Sequence, residues 1–162
     1  MFLKNNSLDH KNGFFFGRLM LGIVYSNPDT KMTQIGNLKY ARMKHSCGLF
    51  WSTNEYKIVV AGGFDGLYST SSVEMLDVSY GIHGAWISMD PLPFALHGSS
   101  MVNIFNQSKN ELHLIGGKSV GNGIRGSLNS HLVYNGTYWF KHNNNLIERR
   151  ADFVLIYKLS LI

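Results

Sequence analysis

Two apolar runs in this chain stop on a pair of glycines. "KIVVAGG" ends at Gly62-Gly63, and "ELHLIGG" ends at Gly116-Gly117. Adjacent glycines closing a strand-like run imply a backbone that takes positive φ or is closely approached by another chain segment. A phosphate-cradling loop is excluded, because no Gly-Lys-Ser/Thr follows the glycines and no helical period follows them either. Other landmarks recur with the pair at nearly the same spacing: Trp86 as Trp139, and His45 as His97. The order is the same each time: His, apolar strand, polar turn, strand ending in Gly-Gly, polar loop, third strand, Trp. An ordered set of landmarks at nearly one period marks a repeated supersecondary unit of about fifty residues.

Each unit reads as short strands. "CGLFWS", "KIVVAGG", "SVEMLDVS" and "AWISM" belong to the first, and "SSMVNIF", "ELHLIGG", "HLVYN" and "TYWFKH" to the second. Gly, Asn, Ser and Asp clusters separate them, and no long 3.6-residue apolar period is present. Hydrophobic residues make up 44% of the chain and charged residues 15%, enough to build a core. The expectation is an all-β fold of four-stranded antiparallel sheets. Such sheets cannot hide both faces alone, and stacking them radially buries the faces between neighbours. Trp86 and Trp139, at the start of the fourth strands, are expected to fill the gaps between sheets.

This ordered set resembles the kelch repeat. In the first unit Arg42, His45, Gly62, Gly63, Glu74, Leu76-Asp77 and Trp86 match that family's pattern. The second unit keeps His97, Gly116, Gly117, Tyr134-Asn135 and Trp139, lacks the Arg, and has His131 near the Glu position. The resemblance implies a kelch-type β-propeller segment of about three blades' worth. Residues 1–19 form an unassigned lead and 20–41 the end of a partial blade. Residues 42–93 and 94–146 are two kelch repeats, and 147–162 the first strand of a further blade. Family propellers have five to seven blades, so the chain is expected to be a piece of a longer protein, or to self-associate through incomplete propeller edges.

The resemblance also implies where a partner is met: on loops around the channel, including the residue after the Arg and the first residues after the Gly pair. Those positions are Met43, Phe64, Asp65, Lys118 and Ser119, and the same polar loops add Tyr68 and Arg125. The expected function is a protein-protein interaction module binding a protein or peptide, with substrate recruitment in a larger kelch protein as the family's common use. The alternatives are a propeller oxidase-type enzyme and a secreted or surface kelch binding protein. Related copper oxidases use a Tyr–Cys crosslink, and Cys47 is the sole thiol. No catalytic arrangement is read from the sequence, and no metal or cofactor is expected: no histidine pair has helical ligand spacing, and one Cys makes no zinc site.

The remaining features bound the partner class. The net charge is +5, but its basic residues are scattered apart from Arg149-Arg150, so no nucleic-acid footprint appears. The most apolar stretch, "FFFGRLMLGIVY" at 14–25, is interrupted by Arg18. It falls short of the ~20 residues of a membrane span and follows a polar lead unlike a signal peptide. A cytoplasmic location is expected. Asn5, Asn106 and Asn135 sit in N-glycosylation patterns that a chain this rich in Asn and Ser reaches by chance.

Overall fold

The computed structural model describes residues 37–52, 55–78, 85–105, 110–121 and 123–155. The apolar run at 14–25, most of the partial unit before residue 42, the patterns at Asn5 and Asn106, and residues 156–162 of the expected last strand lie outside them.

Among the described residues the fold is all-β, with ten strands and no helix. The first four are β1 (Ser46–Ser52), β2 (Glu55–Ala61), β3 (Val73–Asp77) and β4 (Ile87–Met89). They form one antiparallel sheet in chain order. The second sheet uses β5 (Ser100–Phe105), β6 (Asn110–Ile115), β9 (His131–Tyr134) and β10 (Trp139–Lys141), again in chain order and antiparallel. Between β6 and β9 the chain makes a two-stranded hairpin, β7 (Lys118–Gly121) and β8 (Ile124–Ser127). The sequence reads this stretch as a polar loop. Its hairpin signal is the Asn-Gly dipeptide at 122–123, between residues that pair, Gly121 with Ile124.

The second strands are apolar on both faces because both faces are covered. Val59 and Ala61 of β2, with Val73 and Phe50, pack against Leu112, Leu114, Leu132, Tyr134 and Trp139 of the second sheet. On the other face of the first sheet, Ile58, Val60, Leu76 and Trp86 pack with Leu38, Cys47 and Val78. Trp139 thus sits between the two sheets, and Trp86 at the matching place one sheet earlier.

The pairing registers define how one unit maps onto the other. Ser46 pairs Ala61, and Ser100 pairs Ile115, so β1 and β2 map onto β5 and β6 at the offset that carries Gly62 to Gly116. Val59 pairs Met75, and His113 pairs Val133. The third strands are therefore set further apart than the second, and the hairpin-bearing connection takes up the difference. Met75 pairs Ile87 and Val133 pairs Phe140, which brings the fourth strands back to nearly the first offset. Two sequence matches change as a result. His97 forms the bridge to Lys118 that Met43 forms to Phe64, so His97 is the counterpart of Met43 and not of His45. The counterpart of Glu74 is Leu132, and His131 takes the place of Val73.

The units join in a repeating way. Gly63 donates its N–H to Leu96 O (2.8 Å), and Gly117 donates to Arg150 O (2.9 Å), with donor and acceptor displaced equally along the chain. Gly98 donates to Lys44 O (2.8 Å), and Asp152 donates to Gly98 O (2.7 Å). Lys44, Gly98 and Asp152 share a left-handed backbone, with φ of 52°, 62° and 55°. Residues 150–155 therefore enter against the second sheet as 96–101 enter against the first. The paired glycines follow from this joint: a Cβ on Gly62 (φ 64°) would lie 2.5 Å from Leu96 O, and one on Gly116 (φ 67°) 2.5 Å from Arg150 O.

Candidate functional site

Strands β1, β5 and their partners turn at two ends, and every loop residue expected to meet a partner lies at one of them. Met43 and Phe64 exchange backbone hydrogen bonds of 2.9 and 2.8 Å, which ties the entry of β1 to the loop after the first Gly pair. Within that loop Asp65 Oδ1 accepts the N–H groups of Leu67 (2.8 Å) and Tyr68 (2.7 Å). These bonds, Tyr68 first, hold the Asp65 carboxyl below its ordinary pKa and pin a tight turn. The turn lifts Leu67 and Tyr68 into solvent, 73% and 58% exposed.

The hairpin stands beside this turn. Ser69 N–H donates to Val120 O (2.9 Å), and Val120 N–H returns a bond to Ser69 Oγ (2.8 Å). Ser69 Oγ also lies 2.8 Å from His97 Nδ1, and the His97 ring rests 5.1 Å from that of Phe64. Burial, followed by the charge of Lys44, lowers the His97 pKa and keeps the ring neutral. Lys118 Nζ donates to Asp152 Oδ2 (2.8 Å), with Lys44 Nζ 3.7 Å from Asp152 Oδ1. Arg125 is exposed on β8.

The expected site residues divide accordingly. Asp65, Tyr68 and Arg125 are exposed at this end, and Met43, Phe64 and Lys118 are half-buried. Ser119 is buried, 7% exposed, and spends its hydroxyl on Ala95 O (3.0 Å), so it anchors the hairpin rather than facing a ligand. Sequence reasoning missed Leu67, Lys44 and Asp152. Leu67 was legible as the apolar residue of an Asp-Gly-Leu-Tyr turn. Asp152 was not, because only the joint with the second sheet brings it to Lys118.

The repeat residues lie below this surface. Arg42 Nη2 meets Glu74 Oε1 at 2.6 Å with both side chains fully buried. Arg42 Nη1 also donates to Gly62 O (3.0 Å) and Ser72 O (2.7 Å). Glu74 accepts the Lys39 and Tyr40 N–H groups at 2.6 and 3.3 Å. This pair is saturated and serves the backbone of the Gly turn. Asp77 closes β3 opposite Lys57, and Tyr134 donates its hydroxyl to Gly136 O (2.9 Å). Cys47 packs on the Ile58–Trp86 cluster, and burial pushes its thiol up to about 11. Among the described residues no group of three His, Cys, Asp or Glu is arranged to hold a metal ion.

His45 carries a pH consequence. Its Nδ1 is buried without a hydrogen-bond partner, and burial, with the Arg42 charge second, lowers its pKa to about 4. Folding keeps this ring neutral, whereas the unfolded chain takes up a proton near the ordinary value of 6.5. Stability is therefore fully present above about pH 6.5 and falls as pH drops toward 4, by about 3 kcal/mol in all. Urea midpoints across this range are expected to show the loss, and His45→Gln to flatten it.

No protein-family model matches this chain, and no curated protein matches it at significant similarity.

Proposed function

We propose that this chain is a kelch-type β-propeller segment that binds a protein or peptide through the loops at the Gly-Gly end of its sheets. The observation that carries the reading is the convergence there of the Asp65–Tyr68 turn and the β7–β8 hairpin. Two large apolar side chains, Leu67 and Tyr68, stand exposed on a turn braced by backbone bonds. Exposed aromatic and apolar anchors on a rigid support suit peptide recognition, since little side-chain entropy is lost on binding. Lys44, Lys118 and Arg125 outnumber Asp65 and Asp152 at this end. That balance favours a partner segment with acidic groups beside an apolar anchor.

Peptides selected from a random library for binding to the chain test the reading. Tyr68→Ala and Arg125→Ala are expected to weaken the selected peptides by about tenfold or more. Tyr138→Ala, exposed at the opposite end of the sheets, is expected to leave them unchanged. Peptides indifferent to Tyr68 and Arg125 would overturn it. A cytoplasmic location belongs to the same proposal, and a glycan at Asn135 on protein from its native source would contradict that part.

A further inference from the structure

The face of the first sheet that meets the second presents Val59, Val73 and Met89. The registers place His113, His131 and His142 at the same three positions of the second sheet. Three apolar interface residues have become three imidazoles at one place. They touch: His113 Nδ1 lies 2.8 Å from His131 Nε2, and the His142 ring centroid lies 4.4 Å from that of His131, the two planes tilted by 31°. His131 Nδ1 faces Asn144 O at 3.1 Å, and His113 Nε2 faces Glu111 Oε2 at 3.3 Å. The donors and acceptors form one chain. His131 Nδ1–H donates to Asn144 O, so the Nε2 of the neutral ring is the acceptor toward His113 Nδ1. A proton taken up by His131 enters at Nε2, the nitrogen of the neutral ring that carries none. There it breaks the bond from His113 Nδ1–H and sets two N–H groups against each other across 2.8 Å.

Residues 150–155 are already seated against this sheet. Gly117 donates to Arg150 O, Asp152 to Gly98 O, and Leu155 N–H to Ser100 Oγ (3.1 Å). They repeat the entry of the second unit onto the first. We propose that the histidine trio makes this second joint proton-sensitive: residues 150–155 stay seated on the second sheet while His131 is neutral, and loosen when His131 is protonated. The corresponding face of the first sheet, lined by Val59, Val73 and Met89, carries no imidazole, and the buried histidine of that joint, His97, lies in the entering segment instead.

The charged groups around the trio do not compensate the extra proton. On β6 the facing carboxylate is Glu111, already bound to His113. β5 contributes Val102 and Ile104, paired with His113 and Glu111. β10 ends in Lys141, and His142 follows it. In the entering segment Asp152 is held by Lys118 and Arg150 by Glu148. Burial, the largest cause, lowers the His131 pKa against the raising effect of its bond to Asn144 O, in keeping with a joint that favours the neutral ring. The trio is not arranged as a three-ligand metal group among the described residues, and the effector is the proton. The inference stands on the registers and is independent of the peptide-binding reading.

Amide hydrogen exchange on the full 162-residue chain tests it at about pH 7.5 and about pH 5.5, corrected for intrinsic rates. Gly63 and Gly98 report the first joint, and Gly117 and Asp152 the second, through equivalent bonds. A global loss of stability on acidification, including that from His45, moves both pairs together, and loosening through His97, beside Gly98, is present in the unaltered chain and in His131→Val alike. The expected result is an extra fall in protection at Gly117 and Asp152 of about tenfold, the effect of one proton linked with a one-unit pKa change. His131→Val, the residue the first sheet uses at this position, is expected to abolish the extra fall. Equal falls at the two joints in the unaltered chain overturn the proposal, whether or not the variant folds. An extra fall that survives in His131→Val overturns it as well.

Discussion

Replacing Glu74 with alanine is expected to cost about 3–5 kcal/mol, because it leaves the Arg42 guanidinium buried without a counter-charge. Arg42 keeps its bonds to Gly62 O and Ser72 O, but carbonyl dipoles do not replace a carboxylate at 2.6 Å in a site with no solvent access. The backbone N–H groups of Lys39 and Tyr40 lose their acceptor in the same stroke. Removing both partners is a different experiment. The second unit has Leu96 where the first has Arg42, and Leu132 where the first has Glu74, and both leucines are fully buried in the inter-sheet core. A buried ion pair and a packed apolar pair are often close in free energy, while half an ion pair is not. The double variant Arg42→Leu/Glu74→Leu is therefore expected to recover most of what Glu74→Ala loses. Urea unfolding of the three proteins decides it. A Glu74→Ala loss under about 1 kcal/mol, the size of an exposed pair, would show that this site is wetter than its burial indicates.

Gly62→Ala is expected to cost about 3 kcal/mol or more, the sum of left-handed strain and a lost backbone hydrogen bond. The new Cβ would sit 2.5 Å from Leu96 O, so that carbonyl must move. The same carbonyl accepts Gly63 N–H at 2.8 Å, the bond that joins the two units. Gly123→Ala separates the two contributions. Gly123 also has positive φ (79°), but a Cβ there meets nothing within 4 Å. It is expected to cost only the strain, about 1–2 kcal/mol. Melting temperatures that fall equally for the two variants would leave the close approach of Leu96 without consequence. Gly63→Val belongs with Gly62→Ala, since its backbone is left-handed (φ 122°) and Arg42 and Met43 O lie 3.1 Å from a Cβ. Loss of soluble folded protein is the expected outcome.

The strands were legible because their signals are local. An apolar run such as "IVVA" bounded by turn residues has few ways to be buried other than as a central strand, and β1 to β6 lie where the apolar runs are. The peptide-facing end was partly legible, since loops after a strand terminus stay at that terminus. Asp65, Tyr68 and Arg125 are exposed there, while Ser119 turns inward to Ala95 O. Nothing in the sequence around Ser119 distinguishes a hydroxyl that faces solvent from one that braces a hairpin.

The sequence by itself determined the repeat, the strands of the two four-stranded sheets and the need for glycine at the ends of β2 and β6, because apolar period and turn chemistry act over a few residues. Only the tertiary structure decided which residue corresponds to which. One offset relates the units over their first two strands, a longer one over the third and a slightly shorter one over the fourth, since turns differ in length between the units. Pairing register is a non-local property, and one constant period read along the chain set His97 opposite His45. The register sets it opposite Met43 and exchanges the Arg42–Glu74 pair for Leu96 and Leu132. It also gathers His113, His131 and His142, far apart in sequence, where the first sheet has Val59, Val73 and Met89.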